Sequence, residues 1–228
     1  MLKDADKAAV AKRFEEIAEP VKIIMFTQEH ECEYCSATRE LVEELGGLSD
    51  KVAVEVLDFM KDKARADELG VDKIPAVAIM AGGQAPSVDR PALTGVGDKD
   101  HGIRFFGVPA GYEFTTLIED IVMVGKREHG LPEDIAKELA KVDSPVHMQV
   151  VVSPTCPYCP RAVLAAHRFA MASDMIRGDM VEGSEFPHLV VKYGVQGVPH
   201  TVINEEHSYV GALPDAEAAK AVLKAIGK

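Results

Sequence analysis

Two residue pairs in this chain have the types and spacing for thiol chemistry: Cys32-Glu-Tyr-Cys35 and Cys156-Pro-Tyr-Cys159. Two thiols separated by two residues can close into a disulfide and reopen, or can bind a soft metal ion. The second pair lies 124 residues after the first, and all four cysteines of the chain belong to these pairs. Ile74-Pro75 and Val198-Pro199 repeat at the same offset, so each proline follows its second cysteine by 40 residues.

The first turn of a helix leaves backbone N–H groups unpaired and carries positive potential, which stabilises a thiolate. A Cys-x-x-Cys opening a helix therefore predicts a nucleophilic first cysteine and a more buried, resolving second one. Pro157 fits a first helical turn, where its missing N–H costs nothing. The shared proline spacing predicts cis bonds at Ile74-Pro75 and Val198-Pro199, which expose the backbone of Ile74 and Val198 beside the sulfurs. A substrate peptide can pair with such backbone as an added strand.

The elements that must position these groups also repeat. Each half reads as a helix, an apolar strand (21–26; 149–152), the cysteine pair opening an amphipathic helix (35–45; 159–171), and a second strand (51–57; 175–181). A short helix ending in Gly-Val, the proline, a hairpin and a closing helix (114–124; 216–226) follow. Strands separated by helices predict an α/β fold with a mixed central sheet in each half. A repeat of this length is a duplicated domain rather than a solenoid unit. The predicted domains are 1–125 and 126–228. The halves differ at 82–101, rich in Gly, Pro and Asp, which reads as a long hairpin connection: a surface loop in preference to a cover over a substrate groove.

Composition excludes several classes. The chain has 228 residues, 47% of them hydrophobic, and a net charge of −12. That charge opposes nucleic acid and anionic membranes and suits a self-repelling monomer. The longest apolar run, 74–81, is too short to span a bilayer, and residues 1–20 alternate charge with apolar side chains, unlike a secretory leader. The expectation is a cytoplasmic protein.

Three readings of the cysteines compete. One zinc ion shared by both pairs would make a four-thiolate zinc module, but such pairs ordinarily lie about 15–20 residues apart. Purely structural disulfides are disfavoured because bridges between residues three apart close tiny loops and stabilise little. Redox exchange explains why each pair has its own strand, helix and proline.

The βαβ unit carrying Cys-Pro-Tyr-Cys, then Gly-Val-Gln-Gly-Val-Pro199, resembles the thioredoxin/glutaredoxin superfamily. Two such units in one chain, with the segment Phe105–Ile121, resemble the glutaredoxin-like protein disulfide oxidoreductases of thermophiles. The resemblance implies two tandem thioredoxin-like folds that oxidise, reduce or isomerise protein disulfides, without a bound cofactor beyond redox-active disulfides. It implies Cys32 and Cys156 as nucleophiles, Cys35 and Cys159 as resolving thiols, and a thioredoxin reductase-like flavoenzyme as electron donor. The runner-up is an electron carrier passing electrons from such a flavoenzyme to a peroxiredoxin.

The chain departs from the thioredoxin pattern in lacking a buried acid in the strand before either motif. Glu55 and Asp179, aligned between halves, are the candidate substitutes, although strand acids ordinarily face solvent. Glu29, Glu31 and Glu33 crowd Cys32, whereas Arg161 lies near Cys156, so the C-terminal pair is expected to be the more reactive. Tyr34 and Tyr158 are expected to shape the sulfur environment, and His200 is the best histidine candidate for substrate contact. His30 reads as a solvated loop residue, and His167 and His188 have no partner visible in sequence.

Overall fold

The computed structural model describes residues 2–83 and 97–228. The chain divides into two compact units that are not contiguous in sequence: residues 1–100 with 118–128, and residues 101–117 with 129–228. The expected boundary at 125 thus differs from the division the structure gives. The reason is backbone pairing: Ile103↔Gly178 through Phe106↔Val181 form a parallel ladder, which places 101–106 in the second unit.

The first unit contains α1 (Asp4–Phe14), β1 (Val21–Thr27), α2 (Cys35–Gly46), β2 (Val52–Asp58), α3 (Lys63–Glu68) and β3 (Ala76–Ala81). Its strand order is β2-β1-β3. β1 runs parallel to β2, from Val21↔Val52 to Thr27↔Asp58, and antiparallel to β3, from Val21↔Ala81 to Phe26↔Ala76. Ile23 to Phe26 and all of β3 are buried, as the unbroken apolar runs require of strands covered on both faces.

The second unit contains β4 (Lys99–Phe106) from residue 101 and the first turn of α4 (Glu113–Lys126). It continues with α5 (Glu133–Leu139), β5 (Val146–Val152), α6 (Cys159–Ala172), β6 (Ile176–Glu182), α7 (Pro187–Lys192), β7 (His200–Ile203), β8 (His207–Val210) and α8 (Asp215–Ala225). Its strand order is β4-β6-β5-β7-β8. β5 is parallel to β6 and antiparallel to β7, the same arrangement β1 has with β2 and β3. The expected turn at 204–206 joins β7 to β8, with Asn204 and Glu205 both left-handed.

Each unit is an α/β layer fold in which the central strand, β1 or β5, points its C-terminal end at a cysteine pair. The segment 84–96 of the expected 82–101 connection lies outside the described residues. Among the described residues no helix is long and apolar enough to cross a membrane.

Candidate dithiol sites

In the first unit, the chain leaves β1 at Thr27 and reaches α2 eight residues later, at Cys35. Cys32 and Cys35 form a disulfide, with an S–S distance of 2.03 Å and Cα atoms 5.4 Å apart. Tyr34 caps α2 through its carbonyl, which accepts from the Thr38 N–H at 3.0 Å and from Thr38 Oγ1 at 2.8 Å. The Ile74-Pro75 bond is cis. Glu29, Glu31 and Glu33 are all exposed, as is His30. Water and ions therefore screen the acidic crowding expected at Cys32.

In the second unit, the Cys156 amide donates to Ser153 O at 3.1 Å and the Cys159 amide to Cys156 O at 3.4 Å. These turns carry the chain from β5 into α6, which begins at Cys159 rather than at the first cysteine of the motif. Pro160, not Pro157, occupies the first helical turn. Tyr158 precedes the helix and is 71% exposed. The Val198-Pro199 bond is cis, and Cys156 Sγ lies 3.7 Å from the Val198 carbonyl oxygen, to which the thiol can donate. The Pro199 carbonyl is taken by the Gly211 amide at 2.8 Å. The fold thus brings Cys156, Cys159 and Val198 together.

The two thiols differ in environment. Cys159 is fully buried, and burial pushes its pKa far above the ordinary thiol range. A hydrogen bond to Cys156 raises it further, a backbone hydrogen bond from Ser153 opposes the rise, and the negative charge of Glu113 adds to it. Cys156 retains 8% exposure. Cys156 is thus the more exposed of two buried thiols, while the inner one holds its proton until something accepts it.

Glu113 is the residue that sequence reasoning missed. It opens α4, is 2% exposed, and its Oε2 accepts from Thr116 Oγ1 at 2.7 Å. A glutamate in the first turn of a helix is commonplace. No local signal distinguishes Glu113, because what matters is the Tyr112 amide donating to Pro154 O at 3.2 Å. That bond brings the start of α4 to the segment before Cys156.

The two strand acids expected to substitute for a buried relay are engaged elsewhere. Glu55 pairs with Lys22 Nζ at 2.8 Å on the outer strand β2. Asp179 is fully buried and accepts from His147 Nε2 at 2.6 Å and from Arg177 Nε at 2.7 Å. Burial acts to raise the pKa of Asp179, but Arg177 and His147 outweigh it and hold the carboxylate well below its usual range.

His200 is buried on β7, opposite Val151, with neither ring nitrogen hydrogen-bonded and its pKa lowered by burial. His167, fully buried on α6, packs edge-on against Phe105 with ring centroids 5.0 Å apart, and His188 meets Phe186 in the same way at 6.2 Å. Among the described residues no three His, Cys, Asp or Glu side chains gather as a metal-binding group.

Residues 146–224, which hold the second cysteine pair, match the family model described as a thioredoxin domain. The chain is 27% identical to a protein disulfide oxidoreductase of Aeropyrum pernix K1, whose crystal structure superposes with a TM-score of 0.85 over 99% of this chain and 94% of that one. The NTD_N/C domain of alkylhydroperoxide reductase AhpF from Enterococcus faecalis superposes with a TM-score of 0.85 at 22% identity, covering 97% of this chain and all of that one. Among curated proteins, the F-subunit of alkyl hydroperoxide reductase of Pseudomonas aeruginosa is 28% identical over 120 residues, which is 53% of this chain and 22% of that protein. The chain spans about a quarter of the length of the curated relatives it matches. The expected architecture is therefore the observed one, two thioredoxin-like folds in tandem, carrying cysteine pairs at Cys32/Cys35 and Cys156/Cys159.

Proposed function

We propose that this chain is a thiol–disulfide oxidoreductase acting on protein disulfides through both cysteine pairs, with Cys156 and Cys159 the more reactive couple. The carrying observation is the contact of Cys156 Sγ with the Val198 carbonyl at 3.7 Å, beside a fully buried second thiol. In this reading the Cys156 thiolate attacks a substrate disulfide, forming a mixed disulfide and releasing one substrate thiolate. Cys159 then gives its proton to Glu113 and attacks Cys156 Sγ, which closes the Cys156–Cys159 disulfide and releases the second substrate thiolate. Glu113 suits the acceptor role because it is buried and its charge bears on Cys159. Val198, and Ile74 at the first pair, offer backbone to the substrate chain, with Pro75 and Pro199 shaping that edge.

Run in reverse, the same steps oxidise substrate dithiols, and the partner that resets the couple sets the direction. A thioredoxin reductase-like flavoenzyme is the proposed donor in a cytoplasmic setting. A second reading, electron transfer from a flavoenzyme to a peroxiredoxin, is favoured by the likeness to the F-subunit of alkyl hydroperoxide reductase. Reduction of insulin and refolding of scrambled ribonuclease, set against peroxiredoxin-coupled NADH consumption, separate the two. Activity in the coupled assay alone would replace protein disulfide exchange with the carrier role.

A further inference from the structure

Glu113 stands at the end of a loop, and a second, half-buried acid holds the other end. The Glu185 carboxylate accepts the Val108 amide at 2.7 Å. From there the bonds run forward without a gap: the Ala110 amide donates to Val108 O at 2.8 Å, and the Glu113 amide donates to Ala110 O at 3.2 Å. Glu185 is itself fixed, since its own amide donates to Glu182 Oε2 at 2.7 Å, an oxygen that also accepts from Ser184 Oγ at 2.6 Å.

Two glycines allow the loop to fit. A Cβ on Gly107, at φ +91°, would stand 2.7 Å from Glu182 Cβ and 2.8 Å from Glu185 Oε1. One on Gly111, at φ +61°, would stand 2.2 Å from the Pro154 carbonyl oxygen. Both approaches are closer than close-packed atoms tolerate. The loop 107–112 is thus clamped at Glu185 and at Pro154, and the second clamp adjoins the Cys156 turn.

The geometry points to Glu185 as a positioning residue for the second cysteine pair: by accepting the Val108 amide it sets where Glu113 lies relative to Cys159. This inference rests on the proton-acceptor reading of Glu113. It assigns to Glu185 an acceptor atom rather than a charge. Glutamine can supply the same oxygen, and alanine cannot.

The test uses the full chain carrying Cys32→Ser and Cys35→Ser, reacted with 5,5′-dithiobis(2-nitrobenzoate). One thionitrobenzoate leaves when Cys156 attacks and a second when Cys159 resolves the mixed disulfide, so the two steps appear as separate phases. Glu185→Ala should slow the second phase about fivefold and leave the first within about twofold, whereas Glu185→Gln should keep both within about twofold of the parent. Added to Glu113→Gln, Glu185→Ala should slow the second phase no further, because both act on one proton transfer.

If Glu113→Gln slows the second phase while Glu185→Ala does not, or if the two losses multiply, the inference falls and the acceptor reading stands. If Glu113→Gln leaves the second phase unchanged, both fall. Slowing of both phases alike by Glu185→Ala would mark it as merely structural and overturn the inference. Should that variant fail to fold, Glu185→Asp, whose carboxylate stops one methylene short of Val108, takes its place with the same expectations.

Discussion

The carboxylate of Glu113 bears electrostatically on the thiol of Cys159, although one opens a helix before the second repeat and the other lies inside the second motif. This placement depends on the Tyr112 amide donating to the Pro154 carbonyl. The carboxylate proposed as proton acceptor for the inner thiol thereby comes from a different segment than the strand that leads into the motif.

Replacing Glu113 with Gln should slow resolution of a mixed disulfide at the second pair by about 10- to 100-fold, near the lower range of general base catalysis. The initial attack by Cys156 should change far less. Trapping the mixed disulfide by rapid acid quench and following its decay by mass spectrometry provides the measurement. Unchanged decay would exclude Glu113 as the acceptor.

Cys159→Ser should accumulate a stable mixed disulfide through Cys156, whereas Cys156→Ser should accumulate none at that pair. The corresponding variants at Cys35 and Cys32 should behave alike at the first pair. With both pairs reduced, alkylation by iodoacetamide near pH 7 should label Cys156 faster than Cys32 by about threefold or more, since exposed carboxylates around Cys32 deter an anionic thiolate only weakly through solvent. Equal labelling rates would remove the proposed asymmetry.

His200 should make stability depend on pH below neutrality. Burial lowers its pKa in the folded state, so the unfolded chain, titrating near about 6.5, binds the proton more readily. Stability from this group is fully present above that value and declines as pH falls through it. Urea midpoints at pH 7.5 and 5.5 should therefore differ less for His200→Leu than for the parent. An equal difference would show that the histidine is not the titrating group.

Asp179 should matter for stability and little for exchange. Removing its charge with Asp179→Asn leaves His147 and Arg177 facing a neutral amide and should cost about 3 kcal/mol. Its folded pKa is depressed, so its contribution is present above the unfolded value of about 3.9 and is lost as pH falls through the folded one. Denaturant titration measures the first claim. Exchange rates per folded molecule that dropped together with stability would give Asp179 a chemical role after all.

Much of the site is legible in the chain. Apolar runs mark β1, β3 and β5, because a strand buried on both faces tolerates little polarity. The common offset of cysteines and prolines locates both dithiol couples, since a duplicated unit keeps its chemistry at fixed spacing. The turn at 204–206 follows from Asn204, which accepts a left-handed backbone.

Other features required long-range structure. The repeat suggests one cut near 125, but the ladder between β4 and β6 ties 101–106 to the second unit. Alignment of Asp179 with Glu55 suggests a relay, yet its hydrogen bonds go to His147 and Arg177. The repeated elements and the four sulfurs could be read directly from the chain, because hydrophobic periodicity and short spacings are local properties. Which carboxylate bears on Cys159 was settled only on folding. That carboxylate comes from a segment far from the motif in the chain and is placed by backbone hydrogen bonds that leave no local pattern.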